Sequence, residues 1–199
     1  MLKSKKSSRT SATSAQKRCI DALLSLLADV AWDDISLAQI ARKAKTPLKT
    51  LQRQYKTLDD FVPLFPYYFD ERAADNLENC NGSTIDCLFD LFMSRFEALQ
   101  QHRRAVLALH HRTRHMPALA YQMLHPHLQS MRTIMRKANL NPKVRDSDIA
   151  AYSLLAIYAL TFYTWERDQS PDMASTMAKL DQLLKKLCSI DIFAAQHTQ

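Results

Sequence analysis

The stretch SLAQIARKAKTPLKTLQRQYK, from Ser36 to Lys56, holds two short amphipathic patterns around one turn. It carries six cationic side chains and no acidic one. The exposed surface of a soluble protein ordinarily intersperses both signs of charge. A run of a single sign is instead typical of a segment that meets a partner of opposite charge. The segment therefore predicts both a local fold and a polyanionic partner.

Two helices are predicted within this stretch. Ser36 occupies the position of a helix N-cap, and apolar side chains then repeat at helical spacing up to Ala44. Lys45 and Thr46 form the turn, and Pro47 is well placed as the first residue of the second helix. That helix is predicted to turn three side chains inward and five outward: Leu48, Leu51 and Tyr55 inside, and Lys49, Thr50, Gln52, Arg53 and Lys56 outside.

A longer helix is predicted to precede the pair. Its apolar stripe consists of Ile20, Leu23, Leu24 and Leu27, and Trp32 follows to cover the end. One helix packed against two short helices joined by a tight turn is the helix-turn-helix arrangement, in which the last helix enters the major groove of DNA. The outward side chains of the last helix offer hydrogen-bond donors and no carboxylate, as contacts with phosphates and base edges require.

The rest of the chain is also predicted to be helical. The 199 residues include one glycine, Gly82, whereas strand-rich folds need glycine for hairpins and bulges. The sequence therefore predicts an all-α protein. A fourth helix, from about residue 58 to about residue 79, contains Pro63 and Pro66, which predict a kink or a late start. Five further helices are predicted at about 84–101, 103–114, 117–138, 147–167 and 172–187.

Positive charge is concentrated in the first third of the chain. The formal net charge is +7, and residues 1–58 hold 12 lysines and arginines against four aspartates. The remaining residues hold 15 cationic side chains against 16 acidic ones. This distribution predicts that the first third meets a polyanion and that the remainder does not.

Residues 1–13 are predicted to form a disordered basic arm. The segment is rich in serine, threonine and lysine, and no acid precedes Asp21. DNA-binding arms, mitochondrial presequences and solvated tails share this composition, so all three interpretations stay open. The segment has no apolar core and is not predicted to be a secretory signal.

The composition favours a cytoplasmic protein without a membrane span. The four cysteines are widely spaced and include no CxxC pair, which favours a reducing compartment over a disulfide framework or a zinc site. The longest apolar run, at 150–163, is shorter than the ~20 residues that cross a bilayer. It is predicted to be a buried helix.

Six of the seven histidines lie between residues 102 and 127. His111 and His115 have i, i+4 spacing, but no acid lies between Glu97 and Asp146 to complete a set of metal ligands. Solvated helix ends or polar groups that line a pocket are the preferred interpretation, and neither a metal nor a cofactor is predicted. No nucleophile-histidine-acid arrangement or glycine-rich phosphate loop stands out, so the chain is predicted not to be an enzyme.

Residues 15–61 resemble the N-terminal DNA-binding domain of the TetR family of transcriptional regulators. IARKA, a turn and then TLQRQYKTLDDF are similar to the family pattern of an Ile-Ala-x-x-Ala helix, a turn, a Thr-Leu pair with a following aromatic, and a short linker. Lys45 and Lys49 stand where glycines are common, and Gln52 stands where an aromatic is common. Left-handed backbone costs lysine more than glycine, so the turn at Lys45 is predicted to be remodelled.

The resemblance implies a domain organisation and two sets of binding residues. A helix-turn-helix DNA-binding domain is implied at 14–58 and a helical effector-binding and dimerisation domain at 59–199. The residues implied to contact double-stranded DNA are Thr46, Lys49, Thr50, Gln52, Arg53, Gln54, Tyr55 and Lys56. The candidates for lining a pocket that binds a small apolar effector are Phe92, Phe96, Tyr121, Met131, Tyr158 and Phe162.

The last two predicted helices are strongly apolar. Burial within the chain is one interpretation, and the resemblance implies another, a four-helix bundle formed with a second subunit. A homodimer of this kind would place two recognition helices about one DNA turn, ~34 Å, apart. The matching operator would be nearly palindromic.

The C-terminal part shows a narrower resemblance. LFDLFMSRFEALQQHRRAVLAL and TWERDQSPDMASTMAKLDQLL are similar to a branch of TetR-fold proteins related to accessory proteins of ubiquinone biosynthesis, which bind lipid rather than DNA. Two functions therefore stay open. One is a repressor that a small apolar effector releases from its operator, and the other is a lipid- or quinone-binding accessory protein whose basic face is merely solvated.

Overall fold

The computed structural model describes residues 4–75 and 82–188, with side chains over 14–73 and 82–187. Within these ranges all regular structure is helical, which confirms the predicted all-α class. The helices are α1 (Ser4–Leu27), α2 (Leu37–Lys43), α3 (Leu48–Gln54), α4 (Phe65–Asp75), α5 (Thr84–Gln100), α6 (Arg103–Arg114), α7 (Pro117–Lys137), α8 (Pro142–Arg145), α9 (Asp148–Trp165) and α10 (Ala174–Cys188), with 3₁₀ turns at Trp32–Asp34 and Leu58–Leu64.

The chain divides into two compact units. The first unit contains the described residues up to Tyr68 together with Gln101–Met123. The second contains Phe69–Gln100 together with the described residues from Leu124 onward. Helix α1 begins at Ser4 and so takes in most of the segment predicted as a disordered arm. The domain limits drawn from the sequence stay predictions.

The first unit is built on α1. Its predicted apolar stripe is buried, and α1 packs against both α2 and α6. Ile40 of α2 and Leu51 of α3 are buried in the same core. Full burial of an aliphatic side chain of this size contributes about 1.5–3 kcal/mol, so the apolar pattern of α1 largely determines where the two short helices lie.

Capping residues set the ends of the short helices. Ser36 is the predicted N-cap of α2, and Gln39 completes a capping box: its N–H donates to Ser36 Oγ at 3.3 Å, and its Oε1 accepts from Ser36 N at 2.6 Å. Pro47 is the N-cap of α3 rather than its first residue, because its ψ of 129° is extended. The prediction for this helix start was therefore wrong by one residue.

The prolines delay α4, as the sequence predicts. The chain from Leu58 forms a 3₁₀ turn that contains Pro63, and regular α-helix begins only at Phe65. Asp60 Oδ2 stabilises the start of the turn by accepting from the N–H groups of Lys56 at 2.5 Å and Thr57 at 3.0 Å. The predicted C-terminal end of this helix, near residue 79, lies outside the described residues.

The second unit is organised around α9, which packs against α8 and α10, while α5 packs against α10. Trp165 is fully buried, and its indole N–H donates to Gln100 Oε1 at 2.9 Å. The short helix α8 lies in a segment predicted only as a connection. Asn141 caps it, because its Oδ1 accepts from Lys143 N at 2.9 Å.

One face of α9 is exposed, contrary to the prediction of a buried helix. Its exposed large apolar side chains are Ile149, Tyr152, Leu160 and Tyr163. Helix α9 carries apolar side chains on all of its sides, whereas α8 and α10 pack against only part of its surface. None of the helices in the described parts of the chain has both the length and the apolar content to cross a membrane.

Asp168 fixes the connection between α9 and α10. Its carboxylate accepts from the N–H and hydroxyl of Ser170 at 3.0 and 2.5 Å, and from the N–H and hydroxyl of Thr176 at 2.8 Å each. Thr176 N is one of the orphan donors of the first turn of α10, so Asp168 caps that helix from a distance. The helix begins at Ala174, two residues later than predicted. Burial raises the pKa of Asp168, but these hydrogen bonds outweigh it and hold the pKa at about 2.

Replacement of Asp168 by asparagine is expected to lower the free energy of unfolding by about 1–3 kcal/mol at pH 7, because buried donors lose a charged acceptor. The folded pKa of about 2 lies below the ordinary value near 3.9, so the carboxylate stabilises the fold fully above about pH 4 and progressively less as the pH falls towards 2. Urea unfolding should therefore show that the free energies of unfolding of wild type and variant differ more at pH 7 than at pH 2.5.

Asp90→Asn is the control for this experiment, because Asp90 is an exposed carboxylate of the same unit. It should change stability by less than about 0.5 kcal/mol at either pH. An Asp168→Asn difference that is the same at both pH values would contradict the role assigned to the carboxylate.

Candidate functional site

Helix α3 lies on the surface of the first unit and is anchored by one side chain. Leu51 is 1% exposed, and the six other residues of the helix are exposed. Six of the eight residues predicted to contact DNA are accordingly solvent-exposed: Lys49, Thr50, Gln52, Arg53, Gln54 and Lys56. The exposed side chains of α3 therefore offer hydrogen-bond donors, and none of them is a carboxylate.

Leu48 departs from its predicted inward position. It is 36% exposed, because α3 begins with this residue and only Leu51 and the C-terminal Tyr55 reach the core. An exposed leucine at the start of the helix adds an apolar contact to the polar surface. Apolar side chains at such positions recognise the methyl group of thymine in the major groove.

Tyr55 is the one buried residue among the eight predicted to contact DNA. It is buried, and its ring stacks on that of Phe61 with centroids 4.1 Å apart. Its hydroxyl accepts from Gln16 Nε2 at 2.9 Å. Burial raises the pKa of Tyr55, so the phenol stays protonated. The residue holds the end of α3 in place rather than presenting a surface to a partner.

Thr46 also has a structural partner. Its hydroxyl donates to the carbonyl oxygen of Ala44 at 3.3 Å, and the hydroxyl oxygen in turn accepts from the thiol of Cys19 at 3.9 Å. Burial raises the pKa of Cys19, so this thiol is protonated. The hydroxyl hydrogen of Thr46 is therefore engaged within the turn, and the side chain is only partly exposed.

The turn between α2 and α3 keeps left-handed backbone at Lys45. The φ angle of Lys45 is 50°, its N–H donates to Arg42 O at 3.3 Å, and Thr46 N donates to Ala41 O at 2.9 Å. These two bonds define a Schellman motif, which normally places glycine at the left-handed position. The predicted remodelling of the turn is wrong, because the two hydrogen bonds hold a lysine in the conformation that glycine prefers.

Arg18 ties α1 to the end of α2. Its Nε donates to the carbonyl oxygen of Ala44 at 3.3 Å, and its NH1 donates to Ser14 Oγ at 2.9 Å. A groove of about 390 Å³ runs alongside this contact. Its lining residues are Arg18, Asp21, Ala22, Lys43, Ala44 and Lys45. Sequence reasoning missed Arg18, because its partner carbonyl is set by the packing of α1 on α2.

Arg112 of α6 joins the two 3₁₀ turns that flank the pair α2–α3. Its NH1 lies 3.3 Å from Asp33 Oδ1, and its NH2 lies 3.5 Å from Asp59 Oδ2. The guanidinium carbon also lies 5.8 Å from the ring centroid of Trp32. A planar guanidinium can hold two carboxylates and a ring face at once, which an ammonium cannot do. This contact was not predicted, because Arg112 and Asp33 are 79 residues apart.

Four acids of the first unit have side-chain partners away from α3. Asp33 and Asp59 pair with Arg112, and Asp29 Oδ1 lies 3.9 Å from an Arg104 nitrogen. Asp21 accepts from the hydroxyl of Tyr68. Because no acid occurs between Ser36 and Tyr55, the field at the surface of α3 is set by its cations.

The histidines do not form a metal centre within the described part of the chain. His111 and His115 are both exposed, and their ring centroids are 4.5 Å apart. Across residues 14–73 and 82–187, no three side chains of His, Cys, Asp or Glu come together as possible metal ligands. A pair of imidazoles alone leaves a zinc ion two ligands short of its usual four.

Five of the six predicted effector-pocket residues belong to the second unit. Phe92, Phe96 and Met131 are fully buried. The ring centroid of Tyr158 lies 6.5 Å from Phe92, 5.7 Å from Phe96 and 6.1 Å from Phe162. These rings form one aromatic cluster centred on Tyr158.

Tyr121 does not belong to that cluster. It lies in the first unit and is 78% exposed. The first turns of α7 leave most of their side chains exposed, so the helical spacing of Tyr121 does not make it a core residue. Its assignment to an effector pocket is corrected accordingly.

Comparison with known proteins shows similarity in structure and not in sequence. No protein-family model matches the chain, and no curated protein matches its sequence. A TetR transcriptional regulator from Nitrosomonas europaea ATCC 19718 is similar with a TM-score of 0.71 and 17% identity, covering 88% of this chain and 98% of that protein. A TetR transcriptional regulator from Rhodococcus sp. RHA1 gives a TM-score of 0.65 and 12% identity, covering 89% and 97%.

These two likenesses extend over nearly the whole length of both solved proteins. The chain therefore has the all-α fold of TetR transcriptional regulators, as the resemblance of residues 15–61 implies. The narrower resemblance to accessory proteins of ubiquinone biosynthesis stays a prediction.

Replacement of Lys45 by glycine is expected to raise the free energy of unfolding by about 1 kcal/mol, because glycine adopts a positive φ without the steric cost that a Cβ brings. Urea unfolding at pH 7 measures the change. Lys45→Ala is the matched control, since it removes the same charge but keeps the Cβ. A gain in stability for alanine equal to that for glycine would show that charge, and not backbone conformation, is responsible.

Proposed function

We propose that this protein is a DNA-binding transcriptional regulator, most simply a repressor that leaves its operator when a small ligand occupies the second unit. The observation that carries the proposal is the surface of α3, whose exposed side chains donate hydrogen bonds and include no acid. The TetR fold supports it, because both solved neighbours are described as transcriptional regulators. In this role the chain works as a cytoplasmic protein without a cofactor.

The exposed residues of α3 suit two kinds of contact. Arg53 has the length and planar fork to bind a guanine edge, and Gln52 and Gln54 can pair with adenine. Lys49 and Thr50 stand in the first turn, where a donor reaches a phosphate, and Lys56 is exposed just after the end of the helix. We assign Thr46 and Tyr55 to positioning the helix, because both have partners within the unit.

We further propose that the protein acts as a homodimer through α9. The exposed residues Ile149, Tyr152, Leu160 and Tyr163 recur at intervals of three, eight and three positions, which places them along one side of the helix. An exposed apolar surface of this length is typical of a site that another protein covers. A second copy of the chain would bring a second α3, and two recognition helices bind a near-palindromic operator far more tightly than one.

Release from DNA requires that the ligand distinguish between two conformations. A ligand in the second unit weakens DNA binding only to the extent that it binds more tightly to a conformation whose recognition helices no longer match the operator. Arg112 is suited to keep the helix pair aligned with α6, because it holds both flanking turns.

DNA recognition is tested by fluorescence anisotropy with a duplex from the DNA upstream of the gene and with a shuffled duplex, each titrated against salt. Arg53→Ala should weaken binding to the upstream duplex by about 1–3 kcal/mol and reduce selectivity, if this side chain reads a base. Lys49→Ala should weaken binding to both duplexes alike, as loss of a phosphate contact does. It should also lower the slope of log affinity against log salt concentration by about one.

Lys143→Ala is the control for charge, because Lys143 is exposed on α8 of the second unit. This substitution should leave the affinities for both duplexes unchanged. Equal affinity of the wild type for the upstream and shuffled duplexes would exclude the regulator. Lipid that co-purifies with a protein lacking such selectivity would instead favour the accessory function that the C-terminal resemblance implies.

The dimer is tested by sedimentation of wild type and Leu160→Glu at the same concentrations. A carboxylate in the centre of an apolar interface is expected to shift the protein to monomer, because the buried charge would have no partner. Tyr121→Glu changes a large exposed side chain of the first unit in the same way and should leave the dimer intact. A monomeric wild type at micromolar concentration would contradict the proposed interface.

A further inference from the structure

Three buried polar atoms of the second unit have no hydrogen-bond partner among the described residues. They are Arg95 Nε, His127 Nδ1 and Thr161 Oγ1. Arg95 is 1% exposed and Thr161 is 0% exposed, so bulk water does not solvate them. A buried donor or acceptor without a partner costs free energy, and folded proteins contain few of them. Three in one unit mark a place where a bound molecule can supply the missing partners.

Two of the three residues contact the ring of Tyr158, and the third follows it on the same helix. The guanidinium carbon of Arg95 is 4.7 Å from the ring centroid, and the ring of His127 is 5.5 Å from it. Thr161 is three positions after Tyr158 on α9 and therefore on the neighbouring surface of the helix. The cluster thus combines side chains of α5, α7 and α9.

The surroundings of these polar atoms are aromatic. Phe92, Phe96 and Phe162 all lie within 6.5 Å of Tyr158, measured between ring centroids. Apolar walls with a few convergent polar groups are the usual composition of a small-molecule site. A ligand that fits them has an apolar, preferably flat, body and one polar group.

The charges of the cluster are already balanced. Arg95 NH1 donates to Asp70 Oδ1 and to Ser130 Oγ, so the guanidinium has a counter-ion before any ligand binds. Burial and the nearby Arg95 lower the pKa of His127 to about 3, so its imidazole is neutral at pH 7. A carboxylate ligand would add an unbalanced negative charge, and an ammonium ligand would meet Arg95.

An uncharged acceptor matches the groups that lack partners. Arg95 Nε is a donor, the Thr161 hydroxyl can donate, and a neutral imidazole can donate or accept. A carbonyl oxygen carries two lone pairs and no charge, so it can accept hydrogen bonds from donors of these kinds.

We propose that Arg95, His127 and Thr161 form a binding site around Tyr158 for an uncharged apolar carbonyl compound, such as an aromatic ketone. For its biological role as an effector site, the inference rests on the proposed regulator. Binding itself requires no DNA and can be measured on the full chain alone.

Three probes with the same ring system test the chemistry of the site by isothermal titration calorimetry. Acetylnaphthalene carries the carbonyl, naphthoate carries a carboxylate, and ethylnaphthalene has no polar group. Acetylnaphthalene should bind the full-length protein saturably and at least about tenfold more tightly than either of the others. Tighter binding of naphthoate would overturn the assigned ligand class.

Thr161→Val tests the location of the site. Loss of the hydroxyl should weaken the binding of acetylnaphthalene about fivefold. The binding of ethylnaphthalene should not change, because this probe forms no hydrogen bond. Thr164→Val is the matched control on the same helix, since its hydroxyl donates to Leu160 O at 3.3 Å. The unliganded Thr161→Val protein should unfold at the wild-type temperature or above, because the variant removes an unpartnered buried group.

The remaining outcomes are also decisive. Saturable binding of none of the probes, or unchanged acetylnaphthalene affinity in Thr161→Val, would overturn the site. Acetylnaphthalene binding that depends on Thr161 in a protein without operator selectivity would retain the site and exclude the regulator. Operator selectivity without probe binding would retain the regulator and exclude the site.

Discussion

The anchoring of α3 by Leu51 is the constraint on which the candidate DNA-binding surface depends. A helix of seven residues is not stable by itself in water, so tertiary contacts must hold it. Leu51 enters the core formed by α1, the Schellman turn fixes the approach at Lys45, and Tyr55 stacked on Phe61 fixes the exit. Because these contacts lie at one side and at the two ends, all other side chains of the helix remain available to a partner.

Features that depend on neighbouring residues could be predicted from the sequence. The cap at Ser36, the delay caused by Pro63 and the periodic apolar side chains of α1 each follow from spacing along a few turns. The TetR fold was indicated by a resemblance of the motifs IARKA and TLQRQYKTLDDF to the family pattern, and the solved neighbours share only 17% and 12% identity with the chain.

Features that depend on packing between distant segments could not be predicted. Helical spacing alone does not distinguish a buried Tyr158 from an exposed Tyr121, because burial depends on which helices cover each turn. Arg112 and Arg18 are ordinary basic residues in the sequence, and only folding brings their carboxylate and carbonyl partners to them. Sequence reasoning also missed the structural role of Tyr55, since an aromatic at the end of an exposed helix can equally well support that helix.

The left-handed lysine at position 45 has a consequence for how this protein would respond to selection. Backbone strain and surface charge are combined in a single residue, so they cannot be improved independently by one substitution. A laboratory screen for heat resistance would enrich glycine there and would remove a cation from the edge of the candidate DNA-binding surface each time. Thermostable descendants would then carry less positive charge beside α3, and the lysine would be restored only under selection for that charge.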